Sequence, residues 1–434
     1  MRTGPAAARR KRRQQPTSSR PAVQGELKVK ITGIETLHLE NEDLCYVRVR
    51  TDEGVTGLGE TCFGPRAVEA YIHESAAPRL IGQDPLEIER HARDLPRFYI
   101  GHGGTGVSTR AHSAIDLALW DILGKVAGQP LYQLWGGRCR EKIRIYNTCA
   151  GSRYGQKEAR HRDAPDTEPG GGSVLRPAGA GGTYEDLDAS QRAAGELAAD
   201  LLEQGITAMK IWPFDEVAHA NHGQYITAGE LDRCLEPIRK VRDAVGRRMD
   251  VMIELHGLWQ PLAAAQICRA LEEYEPFWVE DAIKLGDLQA LARLAESTRL
   301  PFALGETIGN RYDLKRMLDT GAADIVMFDV SWAGGLSEAR RLIALAETYD
   351  RPIAPHDCTG PVVLTAGVHL AVSSPNALLQ ETVRALCADV YPQLVTDLPV
   401  ISDGYAAPPA GPGLGLELQP GFESRADARV KLTT

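Results

Sequence analysis

Three glutamates stand at equal intervals in the second half of the chain. Glu254, Glu280 and Glu306 are each 26 residues from the next, and each ends a short apolar run, in IELHG, FWVED and ALGET. Asp329 follows in MFDVS, His356 comes 27 residues after it in IAPHD, and Glu381 closes the series in LLQE. One strand, one helix and two short loops take roughly 25 residues, so the spacing puts these groups at the same place on successive βα units. In a barrel of such units that place is the rim where chemistry is done. Three carboxylates that converge repel one another unless a cation sits between them. A hard divalent ion, most naturally Mg2+, takes oxygen ligands and keeps positions open for water or substrate. One glutamate after a strand is as readily a helix cap or a solvated loop acid; three at one spacing favour the cation. Imidazole suits proton transfer near neutral pH, and a carboxylate on a neighbouring strand can hold it in one tautomer. His356, in the Pro/Gly-rich APHDCTGP, fits that task, with Asp329 as its partner. His369, in the apolar AGVHLAV, reads as a structural histidine.

Positioning such groups takes a large frame, and 434 residues supply one large domain and a smaller one. With 43% hydrophobic and 25% charged residues the composition is that of a soluble globular protein. No apolar run approaches the roughly 20 residues that cross a bilayer. Eight scattered cysteines with no CxxC pair fit reduced thiols in a cytoplasm. Residues 1–20 hold seven Arg/Lys and no acid, so the rest of the chain is more acidic than the net charge of −9. Residues 1–26 lack the apolar core of a signal peptide and read as a disordered basic extension. The acidic body argues against nucleic acid as the main partner.

Between 27 and 141 the pattern is α+β. VKITGIETLHL, LCYVRVRT and VTGLGET read as a meander with a tight turn at Glu53-Gly54. Helical periodicity follows at 66–81, 86–98 and 109–127, the last ended by Gly128-Gln129-Pro130. From 142 to 390 strand and helix alternate strictly. Strands fall near 143–148, 207–212, 249–255, 277–281, 301–305, 324–329, 352–356 and 377–381, which predicts an α/β, TIM-type (β/α)8 barrel. Residues 151–183, with GGG at 170–172, form an insertion longer than ordinary connections. The segment 391–434 leaves the barrel pattern, and its PPAGPGLGLELQ reads as a turn and a strand returning to the N-terminal unit.

Taken together, these motifs resemble the mandelate racemase subgroup of the enolase superfamily over about residues 27–434, apart from the insertion. The likeness rests on the glutamate triplet, ALGE at 303–306, FDVSWAGG at 328–335, APH at 354–356, SAIDLALWDILGK at 113–125 and PGLGLEL near the end. It implies an α+β capping domain over a modified barrel and one essential Mg2+. It also implies abstraction of the proton α to a substrate carboxylate to give an enediolate, and a homo-oligomer, from dimer to octamer. Departures from the subgroup pattern narrow the reaction. Many members end the second barrel strand in Lys-x-Lys, the second lysine being a base; here it reads Lys210-Ile211-Trp212, which disfavours two-base racemisation and leaves Lys210 as an electrostatic partner of the substrate. The third strand ends Glu254-Leu255-His256, and members with a histidine there use it as general acid, so His256 is the candidate acid beside the base His356. Glu381 resembles the carboxylate that hydrogen-bonds the enediolate. Asp281 and Asp357 are expected to support their neighbours. The capping domain is expected to supply specificity from residues 40–44, 62–66 (with Phe63) and 101–106, with Trp212 also lining the substrate.

These readings converge on an Mg2+-dependent hydro-lyase that dehydrates a sugar acid, an aldonate or aldarate, by β-elimination. The alternatives are a cycloisomerase or epimerase working through the same intermediate and, from another class, a non-catalytic protein that binds nucleic acid through the basic N-terminus.

Overall fold

The computed structural model describes Met1 and residues 29–40, 42–97, 105–152, 154 and 184–434. The basic extension, most of the GHGGTG stretch and nearly all of the 151–183 insertion lie outside the described residues. Strands β1 (Ile31–Leu39), β2 (Leu44–Thr51) and β3 (Thr56–Cys62) form an antiparallel meander. Gly54 turns the β2–β3 hairpin at φ 76°, a conformation that suits glycine. The Val107–Ala127 helix lies across this sheet, buried on most of its circumference. It comes so close that a Cβ on Gly57 would stand 1.9 Å from the Ala118 carbonyl oxygen, and one on Gly59 1.8 Å from that of Ala114. The glycines of β3 are therefore contact points for a backbone. Gly128, at φ 63°, ends the helix as its position before Pro130 predicts.

The barrel strands are β4 (Ile143–Thr148), β5 (Ala208–Ile211), β6 (Asp250–Glu254), β7 (Trp278–Glu280), β8 (Phe302–Leu304), β9 (Ile325–Phe328), β10 (Ile353–Pro355) and β11 (Gln380–Thr382). Neighbours from β4 to β10 pair in parallel and in order. The ring closes where β11 pairs with β4 and Ala377 bridges to Ile353 of β10. Inside, the large side chains of Tyr146, Met252 and Trp278 pack with Ala208, Ala303 and Ala354, so the barrel is a filled core with its reactive groups above it. A hairpin of β12 (Val400–Ser402) and β13 (Tyr405–Ala407) adds antiparallel to β4.

Two features differ from the sequence reading. The 408–419 stretch is not a strand: the Leu414 N–H donates to the Asp121 carboxylate (2.9 Å) and Gly413 exchanges backbone bonds with Gln129 and Leu131. Its donors are thus spent on a buried side chain and a turn, not on a ladder. The strand that returns to the N-terminal sheet is Ala428–Thr433, antiparallel to β1. A short helix, Asp215–Asn221, also follows β5 where none was expected. Cap and barrel are joined by buried acids. Asp116 accepts from the backbone N–H (2.9 Å) and hydroxyl (2.6 Å) of Ser337, and Glu60 of β3 accepts from the Val363 N–H (3.1 Å). Those acceptors grip the helices that follow β9 and β10. Among the described residues no helix is long and apolar enough to cross a membrane.

Candidate active site

Glu254 and Glu280 end β6 and β7 and are paired in register. Glu306 comes two residues after β8, past Gly305 at φ 118°, where a Cβ would stand 2.6 Å from the Met327 carbonyl oxygen. Each of the three offers an oxygen within 4.8 Å of the others, and Glu254 and Glu280 are fully buried. Lys210, at the end of β5, points its Nζ among the acids, 2.6 Å from Glu280, 2.9 Å from Glu381 and 3.4 Å from Glu254. Burial pushes Glu280 well above the usual carboxylate range, and the charge of Glu254 pushes it further. Burial also works against Glu254, but His256 and Lys210 outweigh it and hold its pKa at about 2. The single ammonium does not balance the group, and Glu254 Oε2 is buried with no hydrogen-bond partner. An all-oxygen donor set with excess negative charge fits a hard divalent cation.

His356 follows β10 and Asp329 follows β9, strands that pair side by side. His356 Nδ1 lies 2.8 Å from Asp329 Oδ2, while Asp329 Oδ1 accepts from the backbone (2.7 Å) and hydroxyl (2.6 Å) of Ser331. The carboxylate is thereby fixed and the imidazole held with Nδ1 protonated, leaving Nε2 to face the site. Nε2 stands 3.4 Å from Glu306 Oε2 and 3.4 Å from the thiol of Cys358. Burial lowers the basicity of His356, but the surrounding groups, Cys358, Glu306 and Glu381 first, raise it well above its ordinary value. The Trp332 ring lies 5.1 Å from the imidazole and Phe63, from the cap, 5.3 Å from Trp332.

A second imidazole stands at the other end of the carboxylate row. His256 is not on β6, which stops at Glu254; at φ 49° the backbone has turned off the strand. Its position comes from two contacts instead. Its backbone N–H donates to Glu254 Oε1 (2.6 Å), and its Nδ1 lies 2.7 Å from Asp215 Oδ2. Burial opposes its charge, but Glu254 and Asp215 outweigh that and lift its pKa to about 9. Trp212 packs edge-on against the ring at 5.9 Å.

The structure thus gathers Lys210, Glu254, Glu280, Glu306, Asp329, His356 and Glu381 around one point, with His256, Trp212 and Phe63 at its margin. Glu381 is tied down on both oxygens: Oε1 accepts from Lys210 and the Thr148 hydroxyl, and Oε2 from the Asp357 N–H (3.0 Å). Asp281 accepts from the Gly305 N–H (3.4 Å), next to the third glutamate, whereas both Asp357 carboxylate oxygens are buried without a partner. Asp215 is the chief group that sequence reasoning missed. Ser331, Trp332 and Cys358 lie inside motifs already singled out, where their nearness to Asp329 and His356 was a usable signal.

A cap of sheet and helix over a parallel barrel, with carboxylates at three consecutive strand ends, is the architecture of the enolase superfamily. The chain belongs to its mandelate racemase/muconate lactonizing enzyme family: residues 27–136 match the N-terminal domain of that family and residues 193–421 the enolase C-terminal domain-like model. It is therefore an enzyme of a superfamily, with a modified TIM-type barrel as its fold. Among curated relatives, a D-galactonate dehydratase of Ralstonia pickettii is 33% identical over 397 residues, covering 90% of this chain and 92% of that one. Among solved structures, an enolase of the mandelate racemase subgroup from Agrobacterium tumefaciens is 45% identical with a TM-score of 0.80, covering 93% of this chain and 98% of that one. An enolase protein from environmental sequencing of the Sargasso Sea is 41% identical with a TM-score of 0.81, covering 93% and 99%.

Proposed function

We propose that the protein is a hydro-lyase that dehydrates a sugar acid by removing the α-proton and the β-hydroxyl. The observation that carries this reading is a pair of imidazoles, each with Nδ1 on its own aspartate, at the two ends of the carboxylate row: His256 by Glu254 and His356 by Glu306. Elimination of water needs one group to take a proton and another to give one. His356 Nε2 takes the α-proton, and Asp329 stabilises the imidazolium that results. His256 gives a proton to the departing β-hydroxyl, so water leaves and the enol tautomerises to a 2-keto-3-deoxy acid. Glu254, Glu280 and Glu306 would hold Mg2+, which supplies fixed positive charge beside the substrate carboxylate. Lys210 adds a second positive charge there, positioned by Glu381. The dehydratase relatives support the reaction class.

Two aspartate-held imidazoles would also serve a two-base epimerase, and one experiment separates the readings. Incubated with Mg2+ and a panel of aldonates and aldarates in D2O, the wild-type protein is expected to give a keto acid lighter by one water. His356→Asn is expected to lose both turnover and deuterium incorporation at the α-carbon. A product of unchanged mass would replace dehydration by isomerisation; full activity in His356→Asn would remove the base assignment.

A further inference from the structure

The cap brings a cation to the roof of the site that no carboxylate among the described residues answers. Arg110 lies in the first turn of the Val107–Ala127 helix. Its guanidinium carbon stands 5.4 Å from the centre of the Phe63 ring and 6.0 Å from that of Trp332. Trp332 in turn lies 5.1 Å from the His356 imidazole, so one ring separates the guanidinium from the candidate base. Arg110 is half-buried, and its Nε is shut off from solvent without a hydrogen-bond partner. Its guanidinium has no hydrogen bond or ion pair among the described residues.

An Nε–H buried without an acceptor is costly, and the two rings beside the guanidinium offset only part of that. Several acids of the site are engaged elsewhere: Glu280 and Glu381 on Lys210, Asp329 on His356, Asp215 on His256. The first turn of the helix has no acidic residue and no side-chain cap, so an incoming anion meets no like charge from that turn. Its terminal nitrogens, without a partner among the described residues, suit a carboxylate or phosphate, the groups the guanidinium fork matches best. A neutral polyol tail would make little use of it.

We propose that Arg110 is the specificity determinant for a substrate with a second anionic group at the end remote from the reacting carboxylate, an aldarate whose distal carboxylate it grips. The inference rests on the sugar-acid reading above. With the first carboxylate at the glutamate triad and the α-hydrogen at His356 Nε2, the remaining carbons run past Trp332 toward the cap.

Isothermal titration of the Mg2+-loaded His356→Asn protein tests this without turnover. The ligands are matched hexonate and hexarate pairs of galacto, gluco and manno configuration, together with the 6-phosphohexonates. For at least one configuration the hexarate is expected to bind roughly 10- to 100-fold tighter than the hexonate, with a steeper loss on adding salt. Arg110→Gln on this background should take the larger loss from the hexarate and remove most of that margin. Arg110→Lys, which keeps the charge but not the fork, should recover part of it. If no diacid binds better than its monoacid, or if Arg110→Gln weakens both equally, the proposal is overturned. A margin confined to a 6-phosphohexonate overturns the aldarate in favour of a phosphate ester. Turnover by the wild-type protein on the same acids is read separately: a margin that depends on Arg110 with no keto acid formed sinks the dehydratase alone, and keto acid with no margin sinks only this inference.

Discussion

At the scale of single residues, the two imidazoles differ in what surrounds their reactive nitrogens. Nε2 of His356 is enclosed by Glu306, Glu381 and the Cys358 thiol, whereas His256 is more open and leans on Trp212. The enclosed nitrogen suits the proton that must come off a carbon in the interior of the site, and the open one suits the hydroxyl that leaves. Asp215 then has a task separable from that of Asp329. Asp215→Asn is expected to lower kcat for elimination roughly 10- to 100-fold while α-deuterium exchange, which His356 carries out, continues. Mass spectrometry of substrate and product from D2O reads both rates at once; parallel loss of the two would place Asp215 outside the acid's support. The glutamates, Asp329 and His356 were legible in the sequence because a βα repeat has a nearly constant length and repeats its strand end at a constant interval. Asp215 was not, because it sits on an unexpected helix and its partner is 41 residues away. Arg110 was hidden for a similar reason: its neighbours Phe63 and Trp332 come from a cap loop and a barrel strand end, which only the packed cap brings together.

At the scale of elements, the cap sheet and the Val107–Ala127 helix set where Arg110 and Phe63 stand over the barrel. Their separation is governed by Gly57 and Gly59, on which the helix backbone rests. Gly59→Ala would put a methyl group 1.8 Å from the Ala114 carbonyl oxygen, a rigid neighbour, so helix or strand must shift. Overpacking of this kind costs about 1–3 kcal/mol. Urea denaturation should show a lower midpoint with an unchanged slope; an unchanged midpoint would mean that the sheet and helix can part freely. The TGLG pattern of β3 was legible as strand and turn, but not as a helix contact, since glycine is just as common in turns. The closing segment was misread for a related reason. Its alternating PGLGLEL suits a strand, yet its Leu414 N–H is claimed by Asp121, while the true edge strand, Ala428–Thr433, is largely exposed and carries a weaker apolar pattern.

For the molecule as a whole, the first and last strands share one sheet, Ile34 opposite Thr433, so the closing segment completes the cap. His369 sits at a second joint, where the closing segment and the cap meet the barrel. It belongs to the Pro361–Ser373 helix after β10, donates from Nε2 to the Leu414 carbonyl (3.1 Å), and stacks on Tyr132 of the cap (5.5 Å). Its Nδ1 is buried without a partner, so a second proton would have no acceptor, and burial lowers its pKa to about 4. Between the ordinary value of 6.5 and about 4 the unfolded chain therefore binds a proton that the folded chain refuses. The stability His369 contributes as a neutral group is fully present above 6.5 and is lost as pH falls through that window, in the limit about 3 kcal/mol. Asp116 and Glu60, which burial pushes up to about 7 and about 8, have the opposite sign: they favour the folded state as pH falls from those values toward the ordinary carboxylate range. The two kinds of joint partly cancel in the wild-type pH profile, so only a difference between proteins isolates one of them. His369→Gln keeps an amide donor for Leu414 but does not titrate. It is expected to be less stable than wild type at pH 7.5, with the gap narrowing by about 2 kcal/mol at pH 5. Urea midpoints for both proteins at the two pH values measure this directly. A gap that stays constant would show that His369 is protonated or solvated in the folded state, and that the closure of cap on barrel is not held by a neutral imidazole.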